Sequence, residues 1–268
     1  MTYTDLESAK AASGTRIVVS SLVPSPWSEA AKGCLRVAGI SALVVRRGGK
    51  SAEGRTRSSA EGDAKVDEKA EIDAWTGIDN VPAVIHDREP VRSNWASIVA
   101  FADRTGTVRI LPAAPAERAD VMGTLHEIAG EDGIGWNGRL AMIEAGLTSE
   151  GARGFPLPVS KFLAKRYSHR PGIPGVHERI AAQLAFVASK LRGDYFGGTA
   201  PNALDVYSAT FLTPIAAVIS AAECPQLDPR FRAAFATAHE AFGSLVPPEL
   251  LAHRERMFAQ HLPRPIEL

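Results

Sequence analysis

Strand-like sequence is confined to the first part of this chain. Between residues 15 and 104, short runs of β-branched residues alternate with helical patterns; the runs fall at 16–22, 42–46 and 81–85, and the helical patterns at 26–38, 70–75 and 94–103. After about Leu111 only helical patterns follow. Alternation of strands and helices predicts an α/β layer, and an uninterrupted helical series predicts a separate all-helical unit. We therefore expect an α/β N-terminal domain, residues 1–110, followed by an all-α C-terminal domain, residues 111–268.

The second half begins with a linker at Pro112 and Pro115. Its predicted helices are residues 117–129, 137–145, 176–192, 203–222, 229–242 and 248–261. Residues 203–222 are apolar nearly all round, which predicts the central buried helix of the domain. Asn202 and Asp205 have the spacing of a capping box at the start of that helix.

Residues 48–69 have a different composition from the rest of the first half. They contain evenly mixed charges, glycine and serine, and Val66 is their sole aliphatic residue larger than alanine. Such a segment cannot bury enough apolar surface to offset its ordering entropy. We expect a mobile insertion whose backbone amides exchange quickly with solvent.

The overall composition excludes several classes of function. Thirty basic and thirty acidic residues balance, so no electrostatic signal for nucleic acid or an anionic membrane surface is present. No apolar run reaches the roughly 20 residues that span a bilayer, and no hydrophobic signal region opens the chain, so a cytoplasmic protein is expected. Two cysteines and seven scattered histidines argue against a disulfide framework or a metal site. A small-molecule partner or a second copy of the chain is expected instead.

Two short segments of the first half carry the polar residues of a candidate site. Residues 20–32 predict a strand end, a loop broken by proline, and a helix that starts at Ser25 or Pro26; residues 81–101 predict a strand that opens with Val81 and Pro82, a turn, and a helix with Ser93 at its start. Together with the order of the domains and the capped central helix, these segments resemble cytosolic glutathione transferases. The resemblance covers most of the chain. It implies a thioredoxin-like N-terminal domain, glutathione as co-substrate and a homodimer.

Ser25, Pro26 and Trp27 match the Ser-Pro-aromatic motif of serine-type members of that family. The resemblance implies that the Ser25 hydroxyl donates to the sulfur of glutathione and stabilises the thiolate, while Trp27 also lies at the glutathione site. A helix N-terminus favours such an anion. Two alternatives remain: Ser25 is also what a plain helix cap before proline looks like, and Ser28 is a competitor for the hydroxyl, although inside the helix it is expected to face solvent or bond back to the loop.

Val81 and Pro82 match the Val-Pro pair whose cis bond, in the family, leaves the preceding backbone free to pair with glutathione. Arg92 and Ser93 stand where the family usually has Glu-Ser. Ser93 keeps a hydroxyl at a helix N-terminus for the γ-glutamyl carboxylate. Arg92 replaces the acid that faces the γ-glutamyl ammonium, so either another acid, such as Asp87 or Glu89, makes that contact, or glutathione is held weakly or differently.

An electrophile pocket is expected between residues 22–27 and the first helices of the second domain. Its candidate lining residues are Met122, His126 and Trp136, with Arg139 and Met142 beside them, although the same side chains would also suit a core. Residues 151–167, with prolines on both sides of Leu157, predict an ordered loop that caps the pocket.

Two further patterns carry no function in this interpretation. Gly133, Gly135 and Gly138 spell GxGxxG but follow a helical stretch, without the strand that a dinucleotide site needs. Cys34 lies on the apolar stripe of the first predicted helix and is expected to be a core residue.

The preferred function is transfer of glutathione, as thiolate, to a hydrophobic electrophile. The alternatives are a glutathione-transferase-like module that binds a ligand or a protein without catalysis, and glutathione-dependent ether cleavage or dehalogenation at the same site. Serine at position 25 argues against disulfide exchange.

Overall fold

The computed structural model describes residues 1–21, 23–48, 68–172, 174–216 and 219–268, and its strands form one mixed sheet near the start of the chain. These strands are β1 (Thr2–Tyr3), β2 (Thr15–Ser20), β3 (Ala42–Arg47) and β4 (Ala83–His86). The order across the sheet is β1-β3-β2-β4. β3 is parallel to both of its neighbours, whereas β4 is antiparallel to β2. β2, β3 and β4 confirm the three predicted strands, and β1 is too short to give a periodic signal.

Helices cover both faces of the sheet because its residues alternate between two cores. Ile17, Val19, Val44 and Val84 belong to the larger core with α2 (Pro26–Val37) and α4 (Trp95–Thr105). Val18, Val45, Ala83 and Ile85 belong to a smaller core with α1 (Leu6–Ala11) and α3 (Glu68–Thr76). This is the thioredoxin-like arrangement expected for the first half.

The predicted insertion at residues 48–69 lies almost wholly outside the described residues. Glu68 and Lys69, the last two residues assigned to it, belong to α3. An ion pair joins the two described ends of the segment: Arg47 Nε and Nη2 donate to the Asp73 carboxylate over 2.6 and 2.8 Å.

Helices make up the second half, as expected from its sequence. They are α5 (Pro115–Ala129), α6 (Ile134–Thr148), α7 (Leu157–Arg166), α8 (Val176–Ser189), α9 (Ala203–Ala216), α10 (Pro229–Phe242) and α11 (Pro248–Gln260). None of the helices in the described ranges is both long and apolar enough to cross a membrane.

The prediction of a loop at residues 151–167 was wrong, because α7 occupies most of it. Pro156 is the N-cap of α7, and Pro158 lies in its first turn. Proline is tolerated there because the first N–H groups of a helix have no intrahelical acceptor. The two prolines therefore start a helix rather than prevent one.

α9 is the central helix of the second half. Every residue from Ala203 to Ile215 is buried, and α2, α5, α10 and α11 pack around it. The capping box is confirmed: Asn202 Oδ1 accepts from the Leu204 N–H, and the Asn202 N–H donates to Asp205 Oδ2. The helix ends at Ala216 rather than at residue 222, soon after Pro214. Proline removes one backbone hydrogen bond and crowds the preceding turn.

Asp103, near the end of α4, fastens the linker between the two halves. Its fully buried carboxylate accepts from the backbone N–H groups of Ile110 and Leu111 and from the side chains of Arg109 and Arg118. Burial alone would raise the pKa of Asp103, but these hydrogen bonds outweigh it and hold the pKa below its ordinary value. The linker is therefore anchored from the first half of the chain.

The C-terminal segment returns to the sheet. The Glu267 carbonyl accepts from the Tyr3 hydroxyl at 2.7 Å and from Lys32 Nζ at 2.8 Å, and the Leu268 carbonyl accepts from Arg46. The Arg46 guanidinium also stacks over the Tyr3 ring, 3.9 Å from its centroid. The end of the helical half is thus held by the N-terminal sheet and by α2.

Candidate functional site

Ser25 lies at the N-cap position of α2, directly after the loop that leaves β2. Its backbone is extended, but its side chain makes no capping hydrogen bond, and Pro26 occupies the first helical position. The residue is 8% exposed, and its hydroxyl has no hydrogen-bond partner among the described residues. The Ser25 side chain therefore does not act as an ordinary helix cap. Both the hydroxyl and the first N–H groups of α2 are available to an anion.

Ser28, the competing serine, is directed into the protein. It is completely buried, and its Oγ lies 3.5 Å from the Ser20 N–H, which donates to it from the end of β2. The expectation that Ser28 faces solvent was wrong, while the alternative of a bond back toward the loop is close to what is found. α2 buries this face because it packs on the sheet.

Val81 and Pro82 lie at the start of β4, beside the end of β2. The Val81–Pro82 bond is cis, as the resemblance implies. Ala83 is the first residue of β4 to pair with β2, opposite Val18, and Val81 makes no backbone hydrogen bond to another described residue. The Val81 N–H and carbonyl are therefore open to an extended peptide ligand.

Arg92 lies in the connection between β4 and α4. Its backbone bridges to Val84 of β4, and its guanidinium folds back to bond Glu89 and the Pro90 carbonyl. The same guanidinium stacks over Phe101 of α4, 4.7 Å from the ring centroid. Arg92 is thus a structural residue of the β4-to-α4 connection.

Neither Asp87 nor Glu89 is placed to meet the ammonium of a ligand near Ser25. Glu89 accepts from Arg92 and, at 2.7 Å, from Arg104, and these two bonds lower its pKa. Asp87 accepts from the Gly14 N–H at 2.6 Å. Both acids lie beyond His86, which pairs with Thr15 at the opening end of β2, whereas Ser25 follows its closing end. At about 3.3 Å per residue, β2 alone separates the two ends by roughly 17 Å.

The helix after β4 begins one residue later than expected. Asn94, not Ser93, is the N-cap of α4, and its Oδ1 accepts from the Ala96 N–H at 2.8 Å. Ser93 precedes the cap, and its hydroxyl has no partner among the described residues. Either residue type suits a cap, so the sequence leaves the position undecided. Ser93 remains near the start of β4, because Arg92 bridges to Val84.

Trp27 reaches out of the first half of the chain into the second. Its Nε1 donates to the Ala129 carbonyl at the end of α5 over 3.0 Å, and its ring meets Phe211 of α9 edge to face at 4.8 Å. The Arg139 guanidinium of α6 stacks over the same ring at 4.5 Å. Trp27 therefore ties α2 to the helical half.

The predicted pocket residues do not form one group. Met122 is half-buried against the core, while His126 is exposed and lies 6.3 Å from the ring of Trp95. Trp136 of α6 instead pairs with Tyr167, 4.8 Å away, just beyond α7. Trp136 shares this region with Arg139, whose Nη1 donates to the Tyr167 hydroxyl at 2.5 Å.

Two contacts join the two halves of the chain close to Ser25 and Val81. On one side Arg139 covers Trp27, which lies in the first turn of α2 beside Ser25. On the other side Arg166, at the end of α7, pairs at 3.5 Å with Asp79, just ahead of Val81. The Arg139 and Tyr167 cluster is therefore connected to both polar segments of the first half.

Comparison with known proteins identifies this architecture. No family model and no curated protein sequence matches the chain. Among solved structures, it is similar to a glutathione S-transferase domain-containing protein from Marinobacter aquaeolei VT8, with 16% identity, 91% and 98% of the two chains covered and a TM-score of 0.56. The chain has the glutathione transferase fold.

Two further structures of this fold are similar to the chain. One is a theta class glutathione S-transferase from Xanthomonas axonopodis pv. citri with glutathione bound: 17% identity, 93% and 94% coverage, TM-score 0.53. The other is a glutathione S-transferase from Xanthobacter autotrophicus py2: 18% identity, 95% and 96% coverage, TM-score 0.51. Coverage on both sides is nearly complete, so the likeness extends over both halves of the glutathione transferase fold.

Within this fold, the remaining sequence patterns have structural roles. Cys34 is completely buried in α2, and burial raises the pKa of its thiol well above the ordinary value. A Cβ on Gly135 would lie 2.4 Å from the Phe211 ring and 3.1 Å from Trp27 Cη2, so this glycine lets α6 approach α2 and α9. Gly133 is the N-cap of α6. Gly135 thus serves helix packing, and Gly133 precedes the first turn of α6.

Proposed function

We propose that this chain binds glutathione at the N-terminus of α2 and transfers it, as thiolate, to a hydrophobic electrophile. In this proposal residues 1–110 form the glutathione-binding domain, and an electrophile cleft lies between them and residues 111–268. Ser25 stabilises the thiolate, Val81 pairs with the backbone of glutathione, and Ser93 lies near its γ-glutamyl carboxylate. Trp27 positions the site from the domain interface.

The observation that carries the proposal is the state of the Ser25 side chain. A hydroxyl at a helix N-cap ordinarily bonds to an N–H of the first turn. Ser25 makes no such bond, although it occupies the N-cap position. Both the hydroxyl and the positive end of the helix can then act on a sulfur anion, which favours the thiolate over a thiol of pKa about 8.5.

A second candidate function is binding without turnover. It is favoured by the positions of Asp87 and Glu89, which are bonded elsewhere and lie at the far end of β2. The γ-glutamyl ammonium of glutathione would then lack an acidic partner from this turn, and glutathione would bind weakly. Glutathione-dependent ether cleavage or dehalogenation would use the same thiolate and differs in the electrophile alone.

Calorimetric titration with glutathione separates these functions. We expect saturable binding at millimolar glutathione or below, together with ultraviolet absorbance of the bound thiolate at neutral pH. Absence of binding at millimolar glutathione would refute the transferase proposal. Binding without thiolate absorbance, and without turnover of 1-chloro-2,4-dinitrobenzene, would favour the non-catalytic module.

Replacing Ser25 with alanine is expected to raise the pKa of bound glutathione and to slow turnover. A hydrogen bond to a charged acceptor contributes about 1.5–3 kcal/mol, which corresponds to roughly ten- to a hundredfold in rate. Binding of glutathione should change little, because its backbone contacts lie elsewhere. The measurements are the pH dependence of thiolate absorbance and steady-state kinetics.

Ser28→Ala is the matched control, since Ser28 is in the same turn but its hydroxyl is buried against β2. It should leave the pKa of bound glutathione unchanged. A larger loss of rate in Ser28→Ala than in Ser25→Ala would show that Ser28, and not Ser25, stabilises the thiolate. Because Ser25 makes no side-chain cap bond, its replacement should reduce stability by less than the ~1 kcal/mol of an ordinary cap.

A further inference from the structure

Arg139 of α6 is held in place by aromatic rings. Its guanidinium stacks over Trp27 at 4.5 Å and over Tyr167 at 5.4 Å, and its Nη1 donates to the Tyr167 hydroxyl. Trp136, its neighbour on α6, packs against the Tyr167 ring from 4.8 Å. Stacking fixes the plane of the guanidinium while leaving its edges free for hydrogen bonds.

The positive charge of Arg139 has no acidic partner among the described residues. A guanidinium carries five N–H donors, and the Tyr167 hydroxyl is the one acceptor found for them in the described ranges. Acids elsewhere in this region have other partners: Glu144 lies 2.5 Å from His169, Asp132 lies 2.9 Å from Arg179, and Asp79 pairs with Arg166. An oriented guanidinium with unused donors is suited to an incoming anion.

Arg139 also lies where a second substrate would enter. Trp27, whose ring lies under the Arg139 guanidinium, belongs to the first turn of α2, next to Ser25. Because helical side chains lean toward the N-terminus of their helix, the Trp27 ring lies on the Ser25 side of α2. Tyr167 adjoins Arg166, which reaches Asp79 ahead of Val81. The guanidinium is thus placed between the two segments proposed to hold glutathione, on the wall that the helical domain supplies.

We propose that Arg139 binds a carboxylate of the electrophile, so that the co-substrate is an acidic aromatic compound. The guanidinium would take the carboxylate in the two-bond geometry that planar donors favour, while the rings of Trp27, Trp136 and Tyr167 offer apolar surface to the aromatic body. This inference rests on the proposed function, because it assigns the substrate class of the same cleft.

The reaction is a substitution that needs no further reactant. The glutathione thiol loses its proton to solvent, the thiolate forms a carbon–sulfur bond to the ring carbon that carries the leaving group, and that group departs with its bonding electrons. With 4-chloro-3-nitrobenzoate as the probe, chloride leaves and the carboxylate remains on Arg139 throughout. The amide 4-chloro-3-nitrobenzamide has the same reacting carbon without the charge.

The test compares these two probes in wild type, Arg139→Gln, Arg139→Lys and Arg153→Gln. Arg153 is the control because it is exposed in the same half of the chain and pairs with Glu240 on the surface. Binding is measured by calorimetry without glutathione, and turnover is measured with glutathione. In wild type and Arg153→Gln we expect the benzoate probe to bind about tenfold more tightly than the benzamide probe, because one charge-assisted hydrogen-bonding contact contributes about that much.

In Arg139→Gln that preference should disappear, while affinity for the amide stays within about twofold. Arg139→Lys should retain part of it, because lysine keeps the charge but not the planar donors.

The outcomes separate this inference from the proposed function. Preference for the benzoate probe without any glutathione turnover would leave this inference standing and overturn the proposed function. Turnover with an unchanged carboxylate preference in Arg139→Gln would overturn the inference alone. A loss of glutathione affinity in Arg139→Gln, with no preference between the probes, would assign the guanidinium to a carboxylate of glutathione and would also overturn it.

Discussion

Replacing Asp205 with alanine is expected to lower the free energy of unfolding by about 3 kcal/mol or more, because buried hydrogen-bond donors lose their acceptor. The carboxylate is completely buried and accepts from the N–H groups of Asn202 and Phe196 and from His253 Nε2, at 2.8–3.0 Å. Alanine leaves three donors without an acceptor inside the protein. Each unsatisfied donor costs about 1–3 kcal/mol. Urea unfolding followed by circular dichroism measures the change.

Asp228→Ala is the matched control for Asp205→Ala. Asp228 caps α10 through the Arg230 N–H, but its side chain is 38% exposed. Water can replace the carboxylate there, so the expected loss is about 1 kcal/mol. Equal losses at the two positions would show that burial of the Asp205 network adds nothing. If Asp205→Ala fails to fold, Asp205→Asn should give a smaller, measurable loss, because the amide oxygen can still accept.

Asp103→Ala is expected to reduce the free energy of unfolding by roughly 3 kcal/mol. The main cost comes from the buried N–H groups of Ile110 and Leu111, at about 1–3 kcal/mol each. The two arginines contribute less, because Arg109 is 63% exposed and Arg118 is 36% exposed. Arg109→Met should therefore cost under about 1 kcal/mol. A loss in Arg109→Met equal to that in Asp103→Ala would mean that the ion pair, not the anchored linker, is what stabilises the fold.

The contribution of Asp103 should also depend on pH. Because the folded state lowers the pKa of this carboxyl, its stabilising effect is complete above the unfolded pKa of about 3.9 and is lost as the pH falls through the lower folded value. Unfolding of wild type and Asp103→Asn should differ at neutral pH, and the difference should shrink in acid below about pH 4. A difference that stays constant down to pH 2–3 would contradict this origin of the stability.

Local patterns were sufficient to predict most elements of the fold. The three longer strands follow from β-branched runs, and the buried α9 follows from an apolar sequence with Asn202 and Asp205 at its start. α7 was not predicted, because prolines ordinarily break a helix, whereas Pro156 and Pro158 both lie where a helix tolerates them. The end of α9 was placed too late because its apolar pattern continues beyond Pro214.

The candidate site was less predictable because its geometry depends on distant parts of the chain. Ser25 could be located because a strand end, a proline and a helix start are adjacent in sequence. Glu89 could not, since its distance from Ser25 is set by the register of β4 on β2. The contacts of Trp27 with Ala129 and Arg139 join elements that are more than 100 residues apart, and no local pattern specifies them.

The return of residues 267 and 268 to the sheet has a consequence for biosynthesis. On the ribosome, Lys32 and Arg46 emerge long before Glu267 and Leu268, their partners 235 and 222 positions later. Until then the Lys32 ammonium has Glu29 and Tyr3 as its partners in this region. The first domain to be translated therefore completes its hydrogen bonds only after residues 267 and 268 have been made. In a nascent chain stalled before residue 267, Lys32 of α2, the helix that follows Ser25, would lack its bond to the Glu267 carbonyl.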